Sequence, residues 1–192
     1  MAKIAMGPET LIYPMPAFLV GANVDGKPNF MTAAWSGIVN SEPPMVSVSI
    51  RPPRHTFKGV QQTSSFSINV PSVDQATETD YCGIVSGSRA DKVAVCEFDV
   101  FYGKLGSAPL IEQCPVNLEC SVVHTLELGT HVLFVGKIEE TYVSEDCLTD
   151  GKADVEKIRP LVYVGGADRQ YRALGDIVAK GWSAGLELRD KK

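Results

Sequence analysis

The 192-residue sequence has no Cys-x-x-Cys pair, and its five cysteines, Cys82, Cys96, Cys114, Cys120 and Cys147, are an odd number. Structural zinc sites and thioredoxin chemistry both need that spacing, so both are excluded and reduced thiols are the simplest reading. No run approaches the roughly 18 apolar residues of a membrane helix. The opening Met1 to Pro8 is too short in apolar length for a signal peptide, which makes the cytoplasm the expected location. An excess of positive charge is also missing: 18 Lys and Arg stand against 23 Asp and Glu, a net charge of −5. Such a field repels a phosphate backbone or an anionic lipid surface, so neither nucleic acid nor membrane is an expected partner.

Catalytic signatures are equally sparse. No Gly-x-Gly-x-x-Gly follows a strand, and no Gly-x-Ser-x-Gly elbow occurs. The three histidines, His55, His124 and His131, are not at helical metal-ligand spacing. The run Gly21 to Pro28 spaces its glycines and lysine like a P-loop, but Pro28 stands where a hydroxyl must hold magnesium. Chemistry by side chains or a bound metal is therefore poorly supported.

What the sequence does contain is a core and a sheet. With 44% apolar and 21% charged residues it has globular composition. Its length fits one domain, 1–192, with a core over about 14–175 and a polar C-terminal extension, 176–192. Two-residue alternation marks strands at Phe18 to Val24, Asn29 to Ser36, Met45 to Ile50, Phe66 to Val70, Val116 to Val123, His131 to Glu140 and Leu161 to Val164. Asp25-Gly26 between the first two predicts a hairpin. Short helices are expected at Arg54 to Gln61, at Asp74 to Tyr81 with an Asp cap, and at Asp168 to Leu174 before Gly175. Parallel α/β folds place a helix after nearly every strand. Consecutive strands favour a mainly β fold instead, an antiparallel barrel with attached helices.

Two segments concentrate polar groups. Arg51-Pro52-Pro53-Arg54-His55-Thr56 sets two arginines, a histidine and a hydroxyl before a helix start, whose free N–H groups and dipole favour an anion such as a phosphate monoester. Upstream, Asn29-Phe30-Met31-Thr32-Ala33-Ala34-Trp35-Ser36 combines amide, hydroxyl and indole donors with small residues, a surface suited to a flat heteroaromatic ring.

Taken with Pro43 to Ile50, Phe66 to Pro71, Asp80-Tyr81-Cys82-Gly83, Ser86-Gly87, Asp91-Lys92 and Pro160 to Gly166, these segments resemble the flavin reductase-like family over roughly Pro14 to Gly175. The resemblance implies an FMN-binding split β-barrel of Greek-key topology, a homodimer with FMN held non-covalently near the subunit interface. It places Asn29, Met31, Thr32, Ala33 and Trp35 along the isoalloxazine and ribityl chain, and Arg51, Thr56 and Lys92 near phosphate or ribityl oxygens. Ser86 and Gly87 approach through backbone, and His131 is a later-strand contact. The implied activity is flavoredoxin-like electron transfer or NAD(P)H:flavin oxidoreduction. The donor is NADH, NADPH or a redox protein, and the acceptor a flavin or a protein. Alternatives are the reductase component of a two-component monooxygenase and a non-catalytic flavin- or haem-binding module.

Overall fold

In the computed structural model, which describes residues 1–189, six of the seven alternating segments join one seven-stranded antiparallel sheet, and Leu161 to Val164 instead supplies a strand of a separate three-stranded sheet. The strands of the larger sheet are β1 (Phe18–Val24), β2 (Lys27–Ala33), β3 (Ser36–Ser41), β4 (Pro44–Ile50), β5 (Ser65–Val70), β6 (Val116–Glu127) and β7 (Val132–Val143). They lie in the order β2-β1-β5-β6-β7-β4-β3. The β1-β2 hairpin runs from the Phe18/Ala33 pair to the Val24/Lys27 pair. Its turn puts Asp25 at φ 51° and Gly26 at φ 80°, the left-handed pair whose twist matches the flanking strands. The P-loop-like spacing is therefore a turn.

β4 is followed in the chain by β5 but lies beside β7, so the connection crosses the sheet through helix α1 (His55–Thr63), a Greek-key step. The end strands β2 and β3 share no ladder, and the barrel is split rather than closed. Trp35 bridges the two ends: its carbonyl accepts the Ser49 N–H of β4 at 2.9 Å.

One face buries Val20, Met31, Val46, Val48, Ile50, Phe66, Ile68 and Phe134, capped by Val60 of α1. That helix lies so close to β1 that a Cβ on Gly59 would stand 2.6 Å from the Asn23 carbonyl oxygen. A second cluster, Leu19, Phe30, Cys82, Phe98, Ile111 and Cys114, packs under α2 (Ala76–Ile84) and α3 (Lys92–Val95). All five cysteines are free thiols.

Three helix expectations are corrected. The first helix starts at His55, and Arg54 at its N-cap makes no side-chain cap. The second begins as a 3-10 turn, Val73–Gln75, in which Ser72 and Gln75 form a reciprocal capping box in place of the expected Asp cap, and α2 then runs through Gly83 to Ile84. The third is not a helix: Gln170–Arg172 is a strand paired with Val162–Val164, which also pairs with Met15–Pro16. Gly166 at φ 72° and Arg169 at φ 48° turn the chain back, and Tyr171 packs on Tyr163 with ring centroids 5.4 Å apart. Cross-strand packing overrides the local helical pattern there.

Candidate functional site

The break between β2 and the α2-α3 loop opens into a cleft with two lobes. The smaller, of about 300 Å³, is lined by Met31, Arg51, Pro53, Arg54, His55, Thr56, Ile84, Val85, Ser86, Gly87, Arg89 and Lys92. Four full cations face it and no carboxylate does, against the negative balance of the whole chain. The larger lobe, of about 660 Å³, shares His55, Gly87, Arg89 and Lys92 and adds Asn29, Lys27, Asp25 and Asp91. Both of those carboxylates are occupied: Asp25 pairs with Lys58 at 2.7 Å, and Asp91 accepts the Ala94 N–H at 3.1 Å to cap α3.

Each cation is positioned by the fold. Arg54 donates to the Gly83 carbonyl at 2.8 Å, which ties the start of α1 to the end of α2. Lys92 is buried in the first turn of α3, and its ammonium donates to the carbonyls of Phe30 at 2.9 Å and Cys82 at 2.8 Å. An ammonium has three protons, so one remains for a ligand in the cleft. Burial lowers the Lys92 pKa from its usual value. Thr56, fully buried, accepts from Asn29 Nδ2 at 2.7 Å. Around them, the uncapped first turn of α1 supplies free N–H groups and the positive dipole end.

Gly87 closes the loop against this bond. A side chain there would overlap the Asn29 amide oxygen and come 2.9 Å from His55 Cδ2. The glycine is required by close approach, since its φ is not left-handed.

At the split end of the sheet, Trp35 and His131 form a tilted stack with centroids 4.7 Å apart and 35° between planes. His131 directly precedes β7, one step beyond the Val132/Ile50 pair, which brings it beside Arg51. Desolvation and then the Arg51 charge lower its pKa below 6.5. Trp35 remains 45% exposed with His131 packed against it.

Of the eleven residues expected at the site, Met31, Arg51, Thr56, Ser86, Gly87 and Lys92 share the small lobe, and Asn29 lines the adjoining one. Trp35 and His131 stand outside both linings and connect through Arg51. Thr32 and Ala33 do not present side chains: the Thr32 hydroxyl donates to the Thr79 carbonyl under α2, and the Ala33 methyl is in the core. Their contribution to a ligand is limited to backbone. Arg54, His55 and Arg89 are the additions. The first two lie in the basic turn already noted, and Arg89 follows the Ser86-Gly87-Ser88 loop, where a cation beside a flexible loop was the available signal. Among the described residues, no group of three or more His, Cys, Asp or Glu could hold a metal.

Fold and cleft together define a class: a split-barrel domain carrying a cation-lined pocket near an exposed aromatic pair. A flavin reductase-like domain model matches residues 10–174, and the chain belongs to that family. It is similar to the flavoredoxin of Methanosarcina acetivorans, 42% identical with a TM-score of 0.93, over 98% of this chain and 100% of that one. The FMN-binding protein of Thermus thermophilus, solved with p-hydroxybenzaldehyde, is 25% identical with a TM-score of 0.77, over 94% and 99%. An NADH-dependent flavin reductase from Rhodococcus sp. is 29% identical over 146 residues, 76% of this chain and 71% of its own.

Proposed function

We propose that this chain binds FMN non-covalently and acts as a flavoredoxin-like, FMN-dependent oxidoreductase in a homodimer. It takes electrons from NADH, NADPH or a redox protein and passes them to a flavin or a protein acceptor. The observation that carries this reading is the convergence of Arg51, Arg54, Arg89 and Lys92, with no carboxylate, around Thr56 at a helix start. That donor set suits a phosphate monoester. The donors also agree with the names of the relatives, which bind or reduce flavins.

When bound, FMN supplies the redox chemistry: a hydride accepted at N5, and electrons released singly or in pairs. The residues of the chain bind and orient. Thr56, its oxygen already bonded by Asn29, donates its proton into the small lobe. Lys92 holds one N–H toward the same space, and Arg54 is fixed by Gly83. The exposed part of Trp35 offers an apolar aromatic surface, and His131, whose pKa is lowered by desolvation and then by Arg51 and whose Nδ1 is 2.9 Å from the Thr130 hydroxyl, has Nε2 left for a ring edge.

The test is a visible spectrum of the protein as isolated, then a donor screen and gel filtration. A yellow protein that retains FMN through the column and bleaches with NADH, NADPH or dithionite supports the reading. Full FMN occupancy without turnover by any donor or redox protein overturns the oxidoreductase role, and rapid loss of reduced flavin favours a monooxygenase reductase component.

A further inference from the structure

Two thiols meet beside Lys92. Cys82 is fully buried in α2, and Cys96, the C-cap of α3, is partly exposed and packs on the cluster that contains Cys82. Both are tied to the lysine: the Cys82 carbonyl accepts its ammonium at 2.8 Å, and the Cys96 N–H donates to its carbonyl at 3.0 Å. Burial raises the pKa of each thiol. Beyond that, the contact between them raises Cys82 further and lowers Cys96, the pattern of a Cys82 S–H directed at the Cys96 sulfur. Cys114 shares the cluster, but it is fully buried and its sulfur accepts from Gln75 Nε2 at 3.6 Å.

A third group completes the arrangement. Glu78 lies one turn before Cys82 on α2, and its charge bears on Cys96. Its Oε2 is buried and has no hydrogen-bond partner among the described residues. Such an oxygen is costly to leave idle, and here it stands where a thiol must give up a proton in order to react.

We propose that Cys82 and Cys96 close into a disulfide when the chain meets a hydroperoxide, with Glu78 as the proton acceptor, and that closure loosens the hold of Lys92 on the cleft. Cys96 reacts first because it is the thiol that solvent reaches. Its proton passes to Glu78, its sulfur takes one peroxide oxygen to become a sulfenic acid, and the departing hydroxide recovers the proton as water. The Cys82 sulfur then displaces the sulfenic hydroxyl, which forms the S–S bond and releases a second water. In sum, two thiols and one peroxide give one disulfide and two waters, the sulfurs being oxidised and the peroxide oxygens reduced. Burial keeps both thiols protonated at rest, so closure is slow and needs peroxide in excess.

Closure draws the sulfurs from packing contact to bonding distance and pulls the end of α2 against α3. The Cys82 carbonyl, one of the two anchors of the Lys92 ammonium, moves with it. The bond itself requires no flavin, whereas its effect on FMN rests on the function proposed above.

The test treats the full chain with excess hydrogen peroxide, blocks the remaining thiols in denaturant and maps the peptides by mass. A link between Cys82 and Cys96 is expected, with three of the five thiols still open to blocking and the link reversed by dithiothreitol. Cys96→Ser is expected to abolish it. Glu78→Gln is expected to slow closure at least threefold, whereas a carboxylate that only repelled the thiolate would speed closure once neutralised. The linked chain is expected to bind FMN at least threefold more weakly and to recover on reduction. Oxidation of Cys96 to a sulfinic acid without a link, or a link between any other pair, overturns the disulfide. Faster closure in Glu78→Gln overturns the proton acceptor, and a link that leaves FMN affinity unchanged overturns the coupling to Lys92. A chain that forms the link and takes up no FMN in either state supports the disulfide and overturns the proposed function instead.

Discussion

Asn29 Nδ2 donates to Thr56 Oγ1 at 2.7 Å with both residues buried, and this bond joins strand β2 to the first turn of α1. Because the Thr56 oxygen is engaged as an acceptor, its proton is left for a second partner, and Thr56 is among the residues that line the cation-lined lobe. The bond fixes the position of the hydroxyl oxygen.

Thr56→Ala is expected to weaken FMN by ten- to a hundred-fold, about 1.5–3 kcal/mol for a hydrogen bond to a charged group, and riboflavin by far less. Thr56→Ser keeps the hydroxyl and most of the affinity. Paired titrations with the two flavins read the difference, and equal losses would move the phosphate elsewhere.

Gly87→Ala places a methyl on the Asn29 amide oxygen. The expected cost is about 1–3 kcal/mol of stability, with loss of FMN affinity because Asn29 must swing off Thr56. Ser86→Ala, without that overlap, serves as the control, and thermal melts with flavin titration separate the two effects.

His131 gives a pH dependence with a definite sign. Its folded pKa is lowered below 6.5, first by desolvation and then by Arg51, so between the two values the unfolded chain binds more protons. Stability is fully present above 6.5 and falls as pH drops through the window toward the folded pKa. Proton resonances of the imidazole should titrate below 6.5 and move upward in Arg51→Ala. A midpoint at or above 6.5 in the unsubstituted protein would contradict the Arg51 contact.

The thiols are expected to be slow. Burial raises Cys82 and Cys114 to about 12 and pushes Cys96, Cys120 and Cys147 up as well. The thiolate is the reactive form. An aromatic disulfide reagent should label the native protein sluggishly at neutral pH and all five cysteines at once in denaturant. Rapid labelling of any one under native conditions would contradict its packing.

Strands with a strict alternation were legible: Phe18 to Val24 is found with the expected bounds, since Asp25-Gly26 fixes where it ends. β3 was not, because Ser-Gly-Ile-Val-Asn-Ser reads as turn formers and is held as a strand by its ladder with β4. Asp168 to Leu174 misled in the opposite direction, its helical pattern yielding to the pairing of Tyr171 with Tyr163. The anion end of the site was legible because its residues are contiguous from Arg51 to Thr56. Arg89 joins them only through the fold; strand alternation turns Thr32 from the face of Met31 toward the Thr79 carbonyl, and the Ala33 methyl, on the face of Met31, is taken up by the core.

The central claim, that the lobe of Arg51, Arg54, Arg89 and Lys92 captures the phosphate of a flavin, is tested most directly by titrating the flavin-free protein with FMN and with riboflavin at two salt concentrations. The account predicts one FMN per chain, bound at least tenfold tighter than riboflavin, with the advantage shrinking as salt rises. Equal affinity for the two flavins, or no uptake of either, would contradict it.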